Sequence, residues 1–225
     1  MNAINALTRL CPPPADRPLP IDWDTVEAAL GLRLPTDYKQ LAGTYGTGRF
    51  ADFLHVYHPH GHTEYVDLTG PMPARIREQL QLDYDRGTYP VPYDPRYLFT
   101  MGVTDNGNYL FWIADPNDAP DAWRIAVNEA RGPRWFTFDG TITEFLFSVL
   151  SGETTVPQFP DDLLDEPVGF TRATPSARQP TQTPPKSSVD LEVIREWGRA
   201  NGYKVPFRGR VPAEVREAWE RAHPS

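Results

Sequence analysis

The sequence contains one cysteine, Cys11, in 225 residues. A single cysteine excludes an intrachain disulfide framework and a zinc site with several cysteine ligands. No stretch approaches the roughly 18 consecutive apolar residues that a membrane-spanning helix needs. The first residues, MNAINALTRLCPPP, lack the basic segment and apolar run of a secretion signal. We therefore expect a cytoplasmic protein that makes no contact with a membrane.

Positive charge is scarce overall, because 22 Lys and Arg residues stand against 30 Asp and Glu residues and give a net charge of −8. The deficit is not uniform along the chain. From Lys186 onwards there are eight basic and six acidic residues, a balance of +2, which leaves −10 for the rest. Such asymmetry predicts different partners for the two parts of the chain.

The first part of the chain predicts two helices, two short strands and a third helix. Asp24 and Glu27 have the spacing of a capping box, and a second helix is predicted from Thr36 to the glycines of GTYGTG, 43–48. Residues 50–57 and 64–68 are predicted strands. In the segment 73–87, Ile76, Leu80 and Tyr84 repeat every fourth position, which predicts one apolar face of a helix.

The next segments predict antiparallel strands and a closing helix. Asn106-Gly107 is typical of a tight hairpin turn with positive φ angles, and residues 122–129 and 134–138 are further predicted strands. Thr141 and Glu144 form a capping pair before an apolar helix. Residues 1–170 are therefore predicted to form an α+β domain with a mostly antiparallel sheet and helices.

A proline-rich segment separates this domain from the end of the chain. Residues 171–187 contain four prolines and almost no large apolar residue, so they predict a linker. Residues 188–225 predict a small two-helix domain in which Trp197 belongs to the first apolar face and Asn201-Gly202 ends the first helix. The second helix is expected to bury Val215, Ala218, Trp219 and Ala222.

The loop between these helices, GYKVPFRGRVP, contains Arg208, Gly209 and Arg210. The minor groove of DNA is roughly 6 Å wide, and glycine has no side chain to clash with its floor. The two flanking guanidinium groups can lie along the groove, where narrow A·T tracts carry an enhanced negative potential. Phosphate contacts are predicted for four further basic residues: Lys204, Arg195, Arg199 and Arg216.

The segment IREWGRANGYKVPFRGRVPAEVREAW resembles the C-terminal DNA-binding domain of the actinobacterial H-NS-like nucleoid proteins, the xenogeneic silencers, over about residues 188–223. The resemblance implies that Arg208, Gly209 and Arg210 read the minor groove of AT-rich double-stranded DNA. Two features differ: Pro206 and Phe207 replace polar positions of that family, and the family's N-terminal oligomerisation domain is absent. Bridging and filament formation are therefore not implied.

Residues 20–152 resemble the SUKH superfamily, which includes cell-wall assembly regulators and bacterial immunity proteins. The resemblance is carried by Trp23 and by the segments VEAALGLRLPTDYKQL, YGTGRF, GVTDNGNYLFW and TEFLFSVLSG, in that order. It implies a non-enzymatic α+β domain that binds proteins, in some systems nuclease toxins. The acidic balance of this part suits a basic partner.

For three other patterns we favour a structural explanation over a metal-binding, phosphate-binding or catalytic role. HVYHPHGH places His55, His58, His60 and His62 close together, but Pro59 and Gly61 indicate a turn with solvated histidines. GTYGTG lacks the lysine of a phosphate-binding loop. Asp105, Asp115 and Asp121 stand beside Pro or Asn, as in turns. We expect no catalysis, no metal and no cofactor.

Two functions remain open from the sequence. The first is a nucleoid-located, non-enzymatic DNA-binding protein that inserts an Arg-Gly-Arg loop into the minor groove and carries a SUKH-like protein-interaction domain. The alternative is an immunity protein that neutralises a toxin such as a nuclease, with the DNA-binding tail as an auxiliary part.

Overall fold

The structure is a computed structural model. It describes residues 3–87, 90–130 and 132–173, and from the rest of the chain only Trp197, Asn201, Ala218, Trp219 and Ala222. The chain divides into two compact units, Met1–Pro175 and Ser176–Ser225. None of the described helices is long and apolar enough to cross a membrane.

A seven-stranded sheet is the centre of the first unit. The strands are β1 (Gly48–Phe50), β2 (Leu54–Val56), β3 (Leu98–Thr104), β4 (Tyr109–Ile113), β5 (Arg124–Asn128), β6 (Trp135–Phe138) and β7 (Phe170–Arg172). Their spatial order is β6-β5-β4-β3-β2-β1-β7, and every neighbouring pair is antiparallel. The predicted α+β class with an antiparallel sheet is confirmed.

Five α-helices accompany the sheet in the described residues: α1 (Ala3–Leu10), α2 (Trp23–Leu30), α3 (Thr36–Tyr45), α4 (Met72–Arg86) and α5 (Ile142–Leu150). Strand residues alternate between two apolar clusters, as the period of two requires. Trp112 belongs to the larger cluster with helices α1, α3 and α5, whereas its neighbours Phe111 and Ile113 pack with Ile76 and Leu80 of α4. The sheet is thus covered on both faces.

Helix α2 begins differently from the prediction. Asp22, not Asp24, is its N-cap, and the Asp22 carboxylate accepts hydrogen bonds from Thr25 N at 3.3 Å and Thr25 Oγ1 at 2.7 Å. The predicted capping partner Glu27 is buried inside the helix. Its carboxylate accepts the Leu34 amide at 2.7 Å and pairs with Lys39. The capping pair at Thr141 and Glu144 of α5 is confirmed.

The predicted strand 50–57 is interrupted by a tight turn. Phe53 N donates to Phe50 O at 3.0 Å, and the two residues between them, Ala51 and Asp52, both have a φ of 48°. The sequence has no glycine or asparagine here to announce the turn. The predicted strand 64–68 is wrong: this segment forms turns, with one isolated bridge between Asp67 and His58.

The hairpin between β3 and β4 exists, but its turn differs from the prediction. Gly107 has a φ of 82°, whereas Asn106 is not among the described residues with positive φ. Gly107 N donates to Thr104 O at 2.8 Å, and Thr104 N donates to Asn108 O at 2.9 Å. A single left-handed glycine after an ordinary turn therefore closes this longer hairpin loop.

Three further differences follow from tertiary context. Ile76 and Leu80 of α4 are buried as predicted, but Tyr84, in the last turn of the same helix, is 48% exposed. Helix α1 was not predicted. Strand β7 pairs with β1, so Thr171 and Arg172, the first two residues of the predicted linker, belong to the sheet.

Candidate nucleic-acid interface and neighbouring surfaces

The second unit is described at five residues, two of which mark the end of a helix. Trp197 is helical and Asn201 lies in a turn. Asn201 donates twice to the carbonyl oxygen of Trp197, from its backbone N at 2.9 Å and from its side-chain Nδ2 at 2.8 Å. The first helix has therefore ended by Asn201, as the Asn-Gly pair predicts, and the amide side chain fixes this end.

The other three described residues of this unit are helical. Ala218 is 8% exposed and Trp219 is half-buried, as expected for an apolar face. Ala222 is exposed, so its predicted burial is wrong.

The residues predicted to contact DNA all lie outside the described part of the chain. They are Arg208, Gly209 and Arg210 of the loop, and Lys204, Arg195, Arg199 and Arg216 around it. Trp197 and Asn201 lie between these basic positions in sequence, and sequence reasoning assigned Asn201 only to a helix end.

The histidine-rich segment of the first unit is an ordered turn. His58 N donates to Val66 O at 3.1 Å, and Leu68 N donates to His58 O at 3.1 Å. The backbone of Gly61 lies against that of Asp67, where an added Cβ would come within 2.5 Å of Asp67 Cα and N. Only glycine fits here, and the close approach holds the turn in place.

The histidines of this turn have different environments. His58 is 4% exposed, and its Nδ1 accepts a hydrogen bond from His60 N at 2.9 Å. Burial lowers the pKa of His58 to about 4, so the expectation of solvated histidines fails for this residue. His60 and His62 are exposed. Partial burial, followed by the charge of His55, lowers the pKa of His62.

The remaining histidine has a carboxylate partner. His55 Nε2 lies 2.8 Å from Asp105 Oδ1, which fixes Asp105 beside the sheet. Among the described residues, no group of three His, Cys, Asp or Glu side chains has the arrangement of a metal site.

The other two aspartates weighed as catalytic candidates take part in local structure. Asp115 Oδ1 accepts hydrogen bonds from the backbone and side chain of Asn117. Asp121 caps α3 from a distant loop, accepting Thr36 N at 2.5 Å and Thr36 Oγ1 at 3.0 Å. The glycines of GTYGTG end α3, since Gly46 is its C-cap with a φ of 71°, as predicted.

A strongly acidic surface follows α5. Four carboxylates of the segment 156–170 are exposed: Asp161, Asp162, Asp165 and Glu166. The segment contains no Lys, Arg or His, and it is anchored by Val156 and Phe159, which are 3% and 8% exposed. The four carboxylates therefore form a negatively charged surface on a segment that is packed against the core.

Comparison with known proteins identifies one part of the chain. Residues 186–222 match the Lsr2 DNA-binding domain. The match contains all seven residues predicted to contact DNA, and it confirms that the DNA-binding part lies at the C-terminal end. No solved structure matches the chain.

Proposed function

Because residues 186–222 of the chain match the Lsr2 DNA-binding domain, we propose that the Arg208-Gly209-Arg210 loop enters the minor groove of AT-rich DNA. The first unit is a SUKH-like domain that binds a protein partner, and the chain links this partner to the nucleoid. The domain match is the observation that carries the proposal, because it spans the loop and both flanking helical segments.

The chemistry of the loop supports minor-groove reading. In a groove roughly 6 Å wide, a G·C pair places an exocyclic amino group on the floor, whereas an A·T pair leaves only acceptors. Arginine at either side of a glycine can donate to these acceptors, and the narrow groove of A·T tracts strengthens its attraction. The double hydrogen bond from Asn201 to Trp197 fixes the helix end from which this loop departs.

The surrounding basic residues have a different role in this proposal. Lys204, Arg195, Arg199 and Arg216 contact phosphates and set position without reading sequence. Each such contact releases counterions, so it contributes to the dependence of affinity on salt. The first unit carries the acidic excess of the chain and is not expected to add to this binding.

The test is a fluorescence anisotropy titration of the full chain with AT-rich and GC-rich duplexes of equal length, at several salt concentrations. Wild type is expected to prefer the AT-rich duplex. Replacing Arg208 and Arg210 by alanine together should weaken AT-rich binding by about 30-fold or more, since each base contact contributes about 1–3 kcal/mol. Lys204→Ala should weaken both duplexes alike and reduce the salt slope by about one.

The matched control removes two arginines from the first unit. Arg77 and Arg86 are exposed on α4, and replacing both by alanine changes the net charge by the same amount. This variant should bind like wild type. Equal affinity of wild type for both duplexes at moderate salt would refute minor-groove reading. An equal loss of DNA affinity in the two double variants would show that the effect comes from the net charge alone.

The protein-binding role of the first unit is supported by its architecture and its charge. Within residues 20–152, the region of the SUKH resemblance, helices α2 and α3 come before the antiparallel strands β1–β6, α4 lies between β2 and β3, and α5 follows β6. The exposed carboxylates of residues 161–166 suit a basic partner such as a nuclease. Neither role requires a catalytic step.

An immunity function is the second candidate, and this acidic surface favours it. The full chain and its Arg208→Ala/Arg210→Ala variant are each expressed with any nuclease toxin that is encoded near the gene, and cell survival is measured. Absence of protection by both chains would refute the immunity function. Equal protection by both would assign the main task to the first unit. Protection that disappears with the two arginines would assign it to DNA binding.

A further inference from the structure

A cavity of about 400 Å³ lies at the surface of the first unit, beside the histidine-rich turn. Three imidazoles and one guanidinium contribute to its wall: His58, His60, His62 and Arg172. Thr47 also lines the cavity, and Leu19 forms part of an apolar lip. No Asp or Glu is among the described residues that line this cavity, although the unit as a whole is acidic.

The wall is held in place from both sides. His60 and His62 flank Gly61, whose backbone presses against Asp67 so closely that a Cβ would not fit. His60 N also donates to His58 Nδ1 at 2.9 Å, which fixes the ring of His58. On the opposite side, Arg172 is in β7, paired with Gly48 of β1. The nitrogen donors therefore project from an ordered turn and a sheet strand.

The charge of Arg172 is only weakly neutralised within the protein. Its Nη1 lies 3.8 Å from Asp16 Oδ2 and donates to the Asp16 carbonyl oxygen at 3.3 Å. The Asp16 side chain is 94% exposed, so solvent screens this pair strongly. The C-terminal end of α3 at Gly46 also lines the cavity and opposes an anion, but a helix end carries only about half a unit charge, less than a guanidinium.

We propose that this cavity binds a small organic anion. A phosphate or carboxylate group would accept hydrogen bonds from Arg172 and from the imidazole N–H groups of His60 and His62, because hydrogen bonds in which one partner is ionised are the stronger ones. The apolar part of the ligand lies against Leu19, a large apolar side chain that is 73% exposed. The residues of this site differ from those proposed to contact DNA and from the exposed carboxylates proposed to contact a protein partner, so this proposal does not depend on the proposed function.

The test titrates the full chain by isothermal calorimetry with three probes: inorganic phosphate, phenyl phosphate and benzoate. Phenyl phosphate is expected to bind more tightly than inorganic phosphate because of the apolar lip. Benzoate binding more tightly than phenyl phosphate would assign the site to carboxylates, and the reverse order would assign it to phosphates. Absence of binding for all three probes would overturn the proposal.

Variants locate the binding. Arg172→Gln, and separately His60→Gln with His62→Gln, should each weaken binding of phenyl phosphate by about tenfold, the effect of losing a charge-assisted hydrogen bond. The two histidines are exposed in a turn, so their replacement keeps the test valid if Arg172→Gln disturbs the sheet. Arg124→Gln on β5 is the matched control, since its side chain is half exposed and pairs with Asp139 at 3.4 Å. A loss in the control equal to that in Arg172→Gln would overturn the proposal.

Discussion

The buried imidazole of His58 should make the first unit less stable as the pH falls from 6.5 towards 4. Burial is the main reason for the low pKa of His58, and the neighbouring His60 adds to it; the Ala42 carbonyl and the Asp67 carboxylate act weakly in the opposite direction. The folded protein keeps this ring neutral down to about pH 4, whereas the unfolded chain protonates it at about 6.5. Within this window the unfolded state therefore binds more protons, and acid favours it.

The magnitude follows from the shift. One pKa unit corresponds to about 1.4 kcal/mol, so the interval from 6.5 to about 4 corresponds to roughly 3 kcal/mol of unfolding free energy. The steepest loss, between pH 6 and 5, should be about 1.4 kcal/mol per pH unit. Above about pH 7.5 the contribution is complete and no further change is expected from this residue.

Urea unfolding of the full chain at pH 7, 6, 5 and 4.5 measures this dependence for wild type and for His58→Asn. Asparagine can place its Oδ1 where Nδ1 accepts the His60 amide, and it does not titrate. The variant is expected to be less stable at pH 7, but its loss on acidification should be smaller than that of wild type. His60→Asn changes an exposed ring of the same turn, and because His60 is only the second cause of the shift, this control should reduce the pH dependence less than His58→Asn. Parallel pH curves for wild type and His58→Asn would refute the reasoning.

Three further predictions concern stability, each measured as unfolding free energy in urea. Ala51→Gly should raise the unfolding free energy by about 0.5–1 kcal/mol, because Ala51 has a φ of 48° and glycine adopts this angle without strain. Ala28→Gly, on the exposed face of α2, should lower the unfolding free energy instead. A change of the same sign in both variants would contradict this prediction. Asp121→Ala should lower the unfolding free energy by about 0.5–2 kcal/mol, because it removes the cap of α3. Asp118→Ala, in the same exposed loop, should leave the unfolding free energy unchanged. No change in Asp121→Ala would disprove the capping role. Glu27→Gln should destabilise most at neutral pH. Burial alone would raise the pKa of Glu27, but the Lys39 hydrogen bond, the Leu34 amide and nearby cations lower it below 4.5, so its stabilisation disappears as the pH falls through the folded value; an equal cost of Glu27→Gln at pH 7 and pH 3 would argue against this.

Elements with a strong local signal were predictable from the sequence. Helix α5 has an apolar face and a capping pair at Thr141 and Glu144, and both are present in the structure. Strands β5 and β6 stand out because their apolar residues are bounded by turn residues. The DNA-binding part of the chain was also predictable, since the resemblance over about residues 188–223 agrees with the match of residues 186–222 to a known DNA-binding domain.

Features that depend on distant contacts were not predictable. Asp121 caps α3 across 85 residues of chain, and nothing beside Asp121 indicates that role. Strand β7 has only three residues and exists because β1 offers it a partner. The imidazole of His58 was expected to be solvated, and the residues that hydrogen-bond to the His58 backbone, Val66 and Leu68, lie outside the segment HVYHPHGH. In each case the decisive partner is remote in sequence.

Strand β7 covers an edge of the sheet, so the effect of a proteolytic cut depends on which side of this strand it falls. Its Phe170 ring packs 4.8 Å from Phe50 and 5.0 Å from Tyr45, centroid to centroid, and the strand covers the outer edge of β1. Cleavage after Ala173 spares this cover. A cut before Phe170 would strip it away, and the bared edge of β1 would be ready to pair with another chain.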